Sequence, residues 1–175
     1  RDYHFNKVKT FHHMMDERTQ EEPRAWDLEG ATHRAGFKIE ELVEFVRAAS
    51  PSEEDFGQAL SQLHQALDKA ADKVAKKTPA QEDLVGQVDA LIDTLYFTYG
   101  SFVLMGVDPE RIFDIVHQAN MGKIFPDGKA HFDPVTHKIL KPDDWEEKYA
   151  PEPAIKKELQ RQLKAYERHK ERNKP

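Results

Sequence analysis

The sequence predicts an all-α protein, a bundle of five to six helices with a long loop near its C-terminal end. Three observations predict it. Apolar residues recur at three- and four-residue spacings through several long segments. Those segments are rich in Ala, Leu, Glu, Lys and Gln, and only 8 Gly and 10 Pro interrupt the 175 residues. Start and stop signals stand where the periodic segments begin and end. A chain of this length can bury one core unaided. One domain is therefore expected over residues 1–150, followed by a C-terminal helix and charged tail over 151–175.

The first helix is expected over Tyr3–Asp16, with Phe5, Val8, Phe11 and Met15 at helical spacing. Thr19–Glu29 reads as a polar connector carrying Pro23 and Trp26. A second helix runs over Ala31–Ala49, with Ile39, Leu42, Val43 and Val46 as its core stripe, and Ser50-Pro51 closes it. Ser52-x-x-Asp55 resembles a capping box and opens a third helix to about Lys77. Its stripe is Phe56, Leu60, Leu63, Leu67, Ala70 and Val74. Thr78-Pro79 begins a fourth helix that ends near Gly106, and Asp108-Pro109 caps a fifth that ends near Lys123. From Phe125 to Ala150 the chain has turn residues and no period, a length of loop that is more often functional than idle. A last helix is expected over Pro153–Lys170.

Hydrophobic residues make up 38% and charged residues 33% of the chain, a soluble composition. The absence of cysteine excludes disulfides, thiolate zinc sites and cysteine nucleophiles, and fits a cytoplasmic protein. A net charge of −6 argues against a dedicated nucleic-acid binder, because a phosphate backbone rewards a basic face. No secretory signal is visible at the start, which opens at Arg1 without Met. Leu84–Val107 is long and apolar enough to consider as a membrane span. Two aspartates at its centre, Asp89 and Asp93, argue instead for a buried bundle helix and no membrane partner.

Those aspartates are the feature to explain. On a helix, Leu84, Val85, Val88, Leu91, Ile92, Leu95, Tyr99 and Phe102 form one apolar face. Asp89, Asp93, Tyr96 and Gly100 fall on the opposite stripe, the two carboxylates one turn apart. Unpaired carboxylates out of water cost several kcal/mol, so they are normally paired, protonated or metal-bound. Upstream, Glu40, Glu41 and Glu44 lie on the second helix, Glu41 and Glu44 opposite its core stripe and near Phe37, Phe45 and Ala48. Taken alone, the glutamates fit a solvated face, and the aspartates fit a pair satisfied by a neighbouring Lys or Arg. Together, two helices with carboxylates at i, i+3 and i, i+4 favour a nest of hard oxygen ligands for Mg²⁺, with Mn²⁺ as the other candidate. Four or five acids would suit two or more ions.

Several reactions are disfavoured. A redox di-iron bundle needs Glu-x-x-His pairs on two helices; the nearest motif here is Asp114-x-x-His117, which reads as a surface pair. The chain has no adjacent His-Asp doublet and no Gly-rich phosphate loop. An all-carboxylate Mg²⁺ site in a helical bundle points to hydrolysis of a phosphate anhydride.

Glu40-Glu41-x-x-Glu44, Asp93 in DALIDTLYFTYG and the segment Val116–Lys123 resemble the all-α nucleoside triphosphate pyrophosphohydrolases. That superfamily includes MazG-like proteins, phosphoribosyl-ATP pyrophosphohydrolase and the dimeric dUTPases. The similarity runs from about Phe11 to Trp145. It is nearest the MazG-like members, through Ala119-Asn120-x-x-Lys123, Asp127-Gly128-Lys129 and Lys141-Pro142-x-x-Trp145. The resemblance implies Mg²⁺ held by E-x-x-E and E-x-x-D motifs. It also implies cleavage of a (d)NTP between the α- and β-phosphates, giving a monophosphate and pyrophosphate. House-cleaning of non-standard nucleotides or dUTP would be the setting. A homodimer or homotetramer with its active site near a subunit interface is implied as well.

The match departs from the family pattern at Ala90, where a glutamate is expected three residues before Asp93. Either Asp89 substitutes from a shifted angle or that ligand is missing. By this resemblance Glu41, Glu44, Asp93 and Asp89 hold the metal, and Glu40 is a further ligand or the base that orients water. Lys123 would meet phosphate or simply favour a helix C-terminus. Asn120 would bind sugar or phosphate, or cap its helix. Lys129 and Lys141 would fold over the phosphates as a lid, or remain solvated. Tyr96 would stack on a base or pack, and His12, His13 and Trp26 are further base-pocket candidates. Two rival readings remain: a non-catalytic oligomerisation or adaptor module, and a hydrolase of the same fold acting on a phosphoribosyl nucleotide.

Overall fold

In a computed structural model, residues 2–16, 20–79 and 83–175 are described. Among them run seven helices: α1 (Tyr3–Met15), α2 (Leu28–Ala49), α3 (Glu53–Ala75), α4 (Asp83–Met105), α5 (Glu110–Met121), α6 (Trp145–Tyr149) and α7 (Glu152–Arg172). The all-α prediction holds, and the long helices lie close to where periodicity placed them.

Local chemistry explains the boundaries. A helix leaves its first N–H groups without partners, and short polar side chains supply them. Asp2 accepts from the Phe5 N–H at 3.0 Å. Ser52 Oγ accepts from the Asp55 N–H at 3.1 Å and donates its hydroxyl to Asp55 Oδ2 at 2.7 Å, a variant of the expected box. Asp27 Oδ1 accepts from the Gly30 N–H at 2.7 Å, so α2 starts at Leu28 and not at Ala31. Trp26 covers that first turn closely: a β-carbon on Gly30 would stand 2.6 Å from its ring. Pro109 is itself the cap of α5 and not its first helical residue, and Asp108 Oδ1, one residue earlier, accepts from the Glu110 N–H at 2.9 Å. Thr78 and Pro79 are not helical, and residues 80–82, where the fourth helix was expected to begin, lie outside the described residues.

The chain divides into two compact units, residues 22–94 and residues 1–21 with 95–175. In the first of these, α2 packs on α3. Arg47 grips Glu53 across the intervening turn, with one bond at 2.8 Å, and its guanidinium lies 4.7 Å from the Phe56 ring centroid. The Trp26 N–H donates to Gln87 Oε1 at 2.8 Å while Gln87 Nε2 donates to the Trp26 carbonyl at 3.0 Å. That reciprocal pair ties the first turns of α4 to the start of α2.

The expectation of a buried fourth helix needs correction. α4 has no buried residue, and Val88 and Ile92 are 50% and 56% exposed. The closely packed helix pairs are α1 with α5, α5 with α7 and α2 with α3, so α4 is held by point contacts. No helix among the described residues is long and apolar enough to cross a membrane.

In the other unit, α1 lies on α5. The His4 ring stacks on Phe113 with centroids 4.1 Å apart, His4 Nδ1 stands 3.2 Å from the Tyr99 hydroxyl, and Lys7 pairs with Asp114. Asp114 is thus engaged across helices and does not form the surface pair with His117 that spacing suggested. Burial, and then the charge of Lys7, push the His117 pKa down. On the other side of α5, Gln162 of α7 accepts from the Asp108 N–H at 2.9 Å and donates to its carbonyl at 2.8 Å.

Candidate active site

The five acids of the sequence reading fall in one unit, residues 22–94. Glu40, Glu41 and Glu44 stand on α2; Asp89 and Asp93 stand on the N-terminal half of α4. All five are exposed. Helical spacing puts Glu41 with Glu44, and Asp89 with Asp93, on common faces. The donor set is entirely carboxylate, the hard oxygen chemistry that Mg²⁺ and Mn²⁺ take. Among the described residues, no group of three or more Asp, Glu, His or Cys side chains is close enough to hold one ion. The single chain therefore presents paired donors on two helices, with no closed cage. Val85, Val88 and Ile92 flank Asp89 in a shallow apolar groove, so Asp89 sits at the margin of an apolar face.

The remaining candidates lie in the other unit. Tyr96 is 77% exposed on α4, free of the packing that would compete with a stacking role. Asn120 lies in the last turn of α5, where its backbone carbonyl accepts from the Lys123 N–H at 3.0 Å. Lys123 and Lys141 converge on one aromatic: their Nζ atoms lie 5.9 and 4.2 Å from the centroid of the Trp145 ring. A cation over an aromatic face is held by the ring quadrupole. Lys129 follows a tight turn at Gly128, whose φ is +77°, and its N–H donates to Asp127 Oδ1 at 2.9 Å.

Residues 123–150 are folded upon themselves. Phe125 stacks on His131 with centroids 4.0 Å apart, and His131 Nε2 meets Asp127 Oδ2 at 2.7 Å. The Lys129 N–H bond and that of His131 hold the Asp127 carboxyl below the usual carboxylate range. Phe132 and Ile139 form an isolated antiparallel bridge. Asp133 accepts from the Val135 and Thr136 N–H groups at 2.8 and 2.7 Å, and these bonds lower its pKa as well.

The residues at the centre of this region were named in the sequence motifs, but without a role. Trp145 is 6% exposed and donates its indole N–H to the Ala119 carbonyl at 2.8 Å; Ala119 is 4% exposed. Tyr149 lies flat on Gly122, where a β-carbon would stand 2.5 Å from the ring. The spacing Ala119-x-x-Gly122 and Trp145-x-x-x-Tyr149 was the available signal: two positions one turn apart at the end of α5 and two on α6. Trp26 and His12 also have structural placements, Trp26 over Gly30 and beside Gln87, His12 accepting through its carbonyl from the Asp16 N–H at 2.8 Å. His13 is exposed on α1.

The all-α scaffold and comparison with known proteins together define a class: helical hydrolases of phosphate anhydrides. The sequence pattern of the phosphoribosyl-ATP pyrophosphohydrolase family matches residues 8–120, well over half of the chain, and the protein belongs to that family. The crystal structure of a protein from Exiguobacterium sp. 255-15, provisionally assigned as an NTP pyrophosphohydrolase, is similar throughout. The two are 39% identical, the match covers 94% of this chain and 98% of the other, and the TM-score is 0.86. None of the curated proteins compared matches the chain. The protein is a nucleotide pyrophosphohydrolase at the level of its family.

Proposed function

We propose that the protein hydrolyses a nucleoside triphosphate between its α- and β-phosphates, releasing a monophosphate and pyrophosphate. The observation that carries this reading is the pairing of Glu41 with Glu44 and of Asp89 with Asp93 on α2 and α4 of one unit, in a chain of pyrophosphohydrolase family. Mg²⁺, or Mn²⁺ in its place, would be held by these four carboxylates and would neutralise phosphate charge. Glu40, next to Glu41 on α2, would accept a proton from the attacking water or orient it. Lys123 and Lys141 would meet phosphate oxygens as point charges, their positions set by Trp145, with Lys129 and Asn120 completing the polar contacts. Tyr96 would offer an exposed ring to the base.

The acting form is proposed to be a homodimer or homotetramer. Leu42 and Phe45 of α2 are each 56% exposed and no described residue of their unit is buried, so a second copy has apolar surface to cover. The matching family is named for a phosphoribosyl nucleotide, and that observation supports a second reading in which the substrate is of that class.

The test is a substrate panel. Nucleoside triphosphates, their deoxy forms and phosphoribosyl-ATP are incubated with and without Mg²⁺ or Mn²⁺, and pyrophosphate is assayed against orthophosphate. Metal-dependent pyrophosphate from a triphosphate is expected, with Asp93→Ala and Glu44→Ala each losing at least a hundredfold. Activity on phosphoribosyl-ATP alone favours the second reading. Orthophosphate as the product, or full activity in both variants, would remove the proposal.

A further inference from the structure

Residues 121–175 lie beyond the stretch that the family pattern matches, and α7 carries a feature the reaction does not use. Its side chains divide between two faces about a quarter-turn apart. Glu158 and Gln162 belong to the face on α5: Glu158 is buried and Gln162 holds both backbone groups of Asp108. Ile155, Leu159, Leu163 and Tyr166, at i, i+4, i+8 and i+11, form a second, apolar stripe. With Glu152 and Lys156 beside them, Ile155, Leu159 and Leu163 line a shallow groove along the helix. Leu163 and Tyr166 are 58% and 63% exposed.

The charges bordering this stripe indicate what covers it. Glu152 and Lys170 lie at the same angle around the helix, on the stripe, at its two ends. A parallel pair of α7 helices would set Glu152 on Glu152 and Lys170 on Lys170. An antiparallel pair, with position 161 level in both copies, sets Glu152 opposite Lys170 twice. The same register places Leu159 against Leu163 twice, at the centre of the stripe. One register satisfies the charges at the two ends and the leucines at the centre together, which is the self-complementarity that a two-fold interface requires. An anionic lipid surface would also attract a basic helix, but it leaves Glu152 on the stripe facing like charge. We propose that α7 docks antiparallel on α7 of a second copy of this chain.

The protein has no cysteine, so introduced thiols report without background. In the proposed pair, positions 152 and 170 of opposite copies are adjacent, whereas position 152 of one copy lies about 27 Å along the axis from position 152 of the other. The full chain carrying Glu152→Cys and Lys170→Cys together is oxidised gently and run on a denaturing gel. A covalent dimer is expected, with each single variant forming at least tenfold less. Adding Leu159→Glu and Leu163→Glu to the double-cysteine chain should cut the dimer yield at least tenfold, with helicity unchanged by circular dichroism. No dimer from the double-cysteine chain, equal dimer from the single variants, or a yield indifferent to the leucine changes overturns the proposal. So does binding of the double-cysteine chain to phosphatidylserine vesicles that abolishes its cross-linking. None of these readouts needs nucleotide hydrolysis, so the seam and the catalytic reading stand or fall separately.

Discussion

Gly122 is the residue whose environment leaves least room. A β-carbon there would stand 2.5 Å from the Tyr149 ring, and that ring belongs to the helix that buries Trp145. Gly122→Ala must therefore displace the ring or the end of α5. Overpacking of this kind costs about 1–3 kcal/mol. Thermal melting should show that loss, and an unchanged midpoint would mean that Tyr149 is not seated on Gly122. The position was visible in the sequence as part of a motif, but its reason was not. A glycine one residue before a lysine at a helix end reads first as a cap, and only the packed ring shows why no side chain fits. The acids behave in the opposite way. Asp89 and Asp93 were conspicuous because apolar neighbours surround them in sequence, and their placement on one stripe of α4 follows from helical geometry alone. Their ligand geometry was not legible, since that depends on how side chains from separate helices meet.

At the scale of elements, the long helices were legible because each carries an apolar period and a capping residue. The starts moved where a cap was overlooked: Asp27 opens α2 three residues early, a role worth about 1 kcal/mol. The short α6 was not legible, because five residues give no period to read. What joins elements can be tested by pH. Glu158 links α7 to the α4–α5 turn through Gln162, and the bonds from Arg161 hold its pKa at about 2, against 4.5 ordinarily. A carboxyl whose pKa is lowered on folding stabilises the native state above its unfolded value. That stability disappears as pH falls through the folded value. The contribution of Glu158 should thus be complete above about pH 4.5 and fade towards pH 2. Melting curves of the parent and Glu158→Gln should differ at pH 7 and converge near pH 2. A gap that persists in acid would show that the charge is not what holds the seam.

For the molecule as a whole, the informative fact is where burial is missing. Among the described residues the buried ones, Ala119, Trp145 and Glu158, all belong to the unit that contains α5 and α7. Residues 22–94 have none among those described, although ordering a backbone costs about 1–2 kcal/mol per residue. Which faces are apolar could be read from the sequence. What covers them could not, because periodicity marks a face and says nothing of its partner. If second copies supply the cover, the melting temperature rises with protein concentration, as mass action requires. Melting at about 1 and 100 μM should separate by several degrees; superimposable curves would argue for a stable monomer.

The protein contains two tryptophans, and they live in unlike surroundings: Trp26 is 52% exposed, whereas Trp145 is 6% exposed beneath two lysine ammonium groups. An indole's emission colour follows the polarity and charge around it. Trp145 consequently acts as a built-in optical probe of the lysine-bearing segment, and with Trp26 changed to Phe its light reports on that segment alone. An anion drawing Lys123 and Lys141 away from the ring would register as a change in colour or brightness, with no label attached.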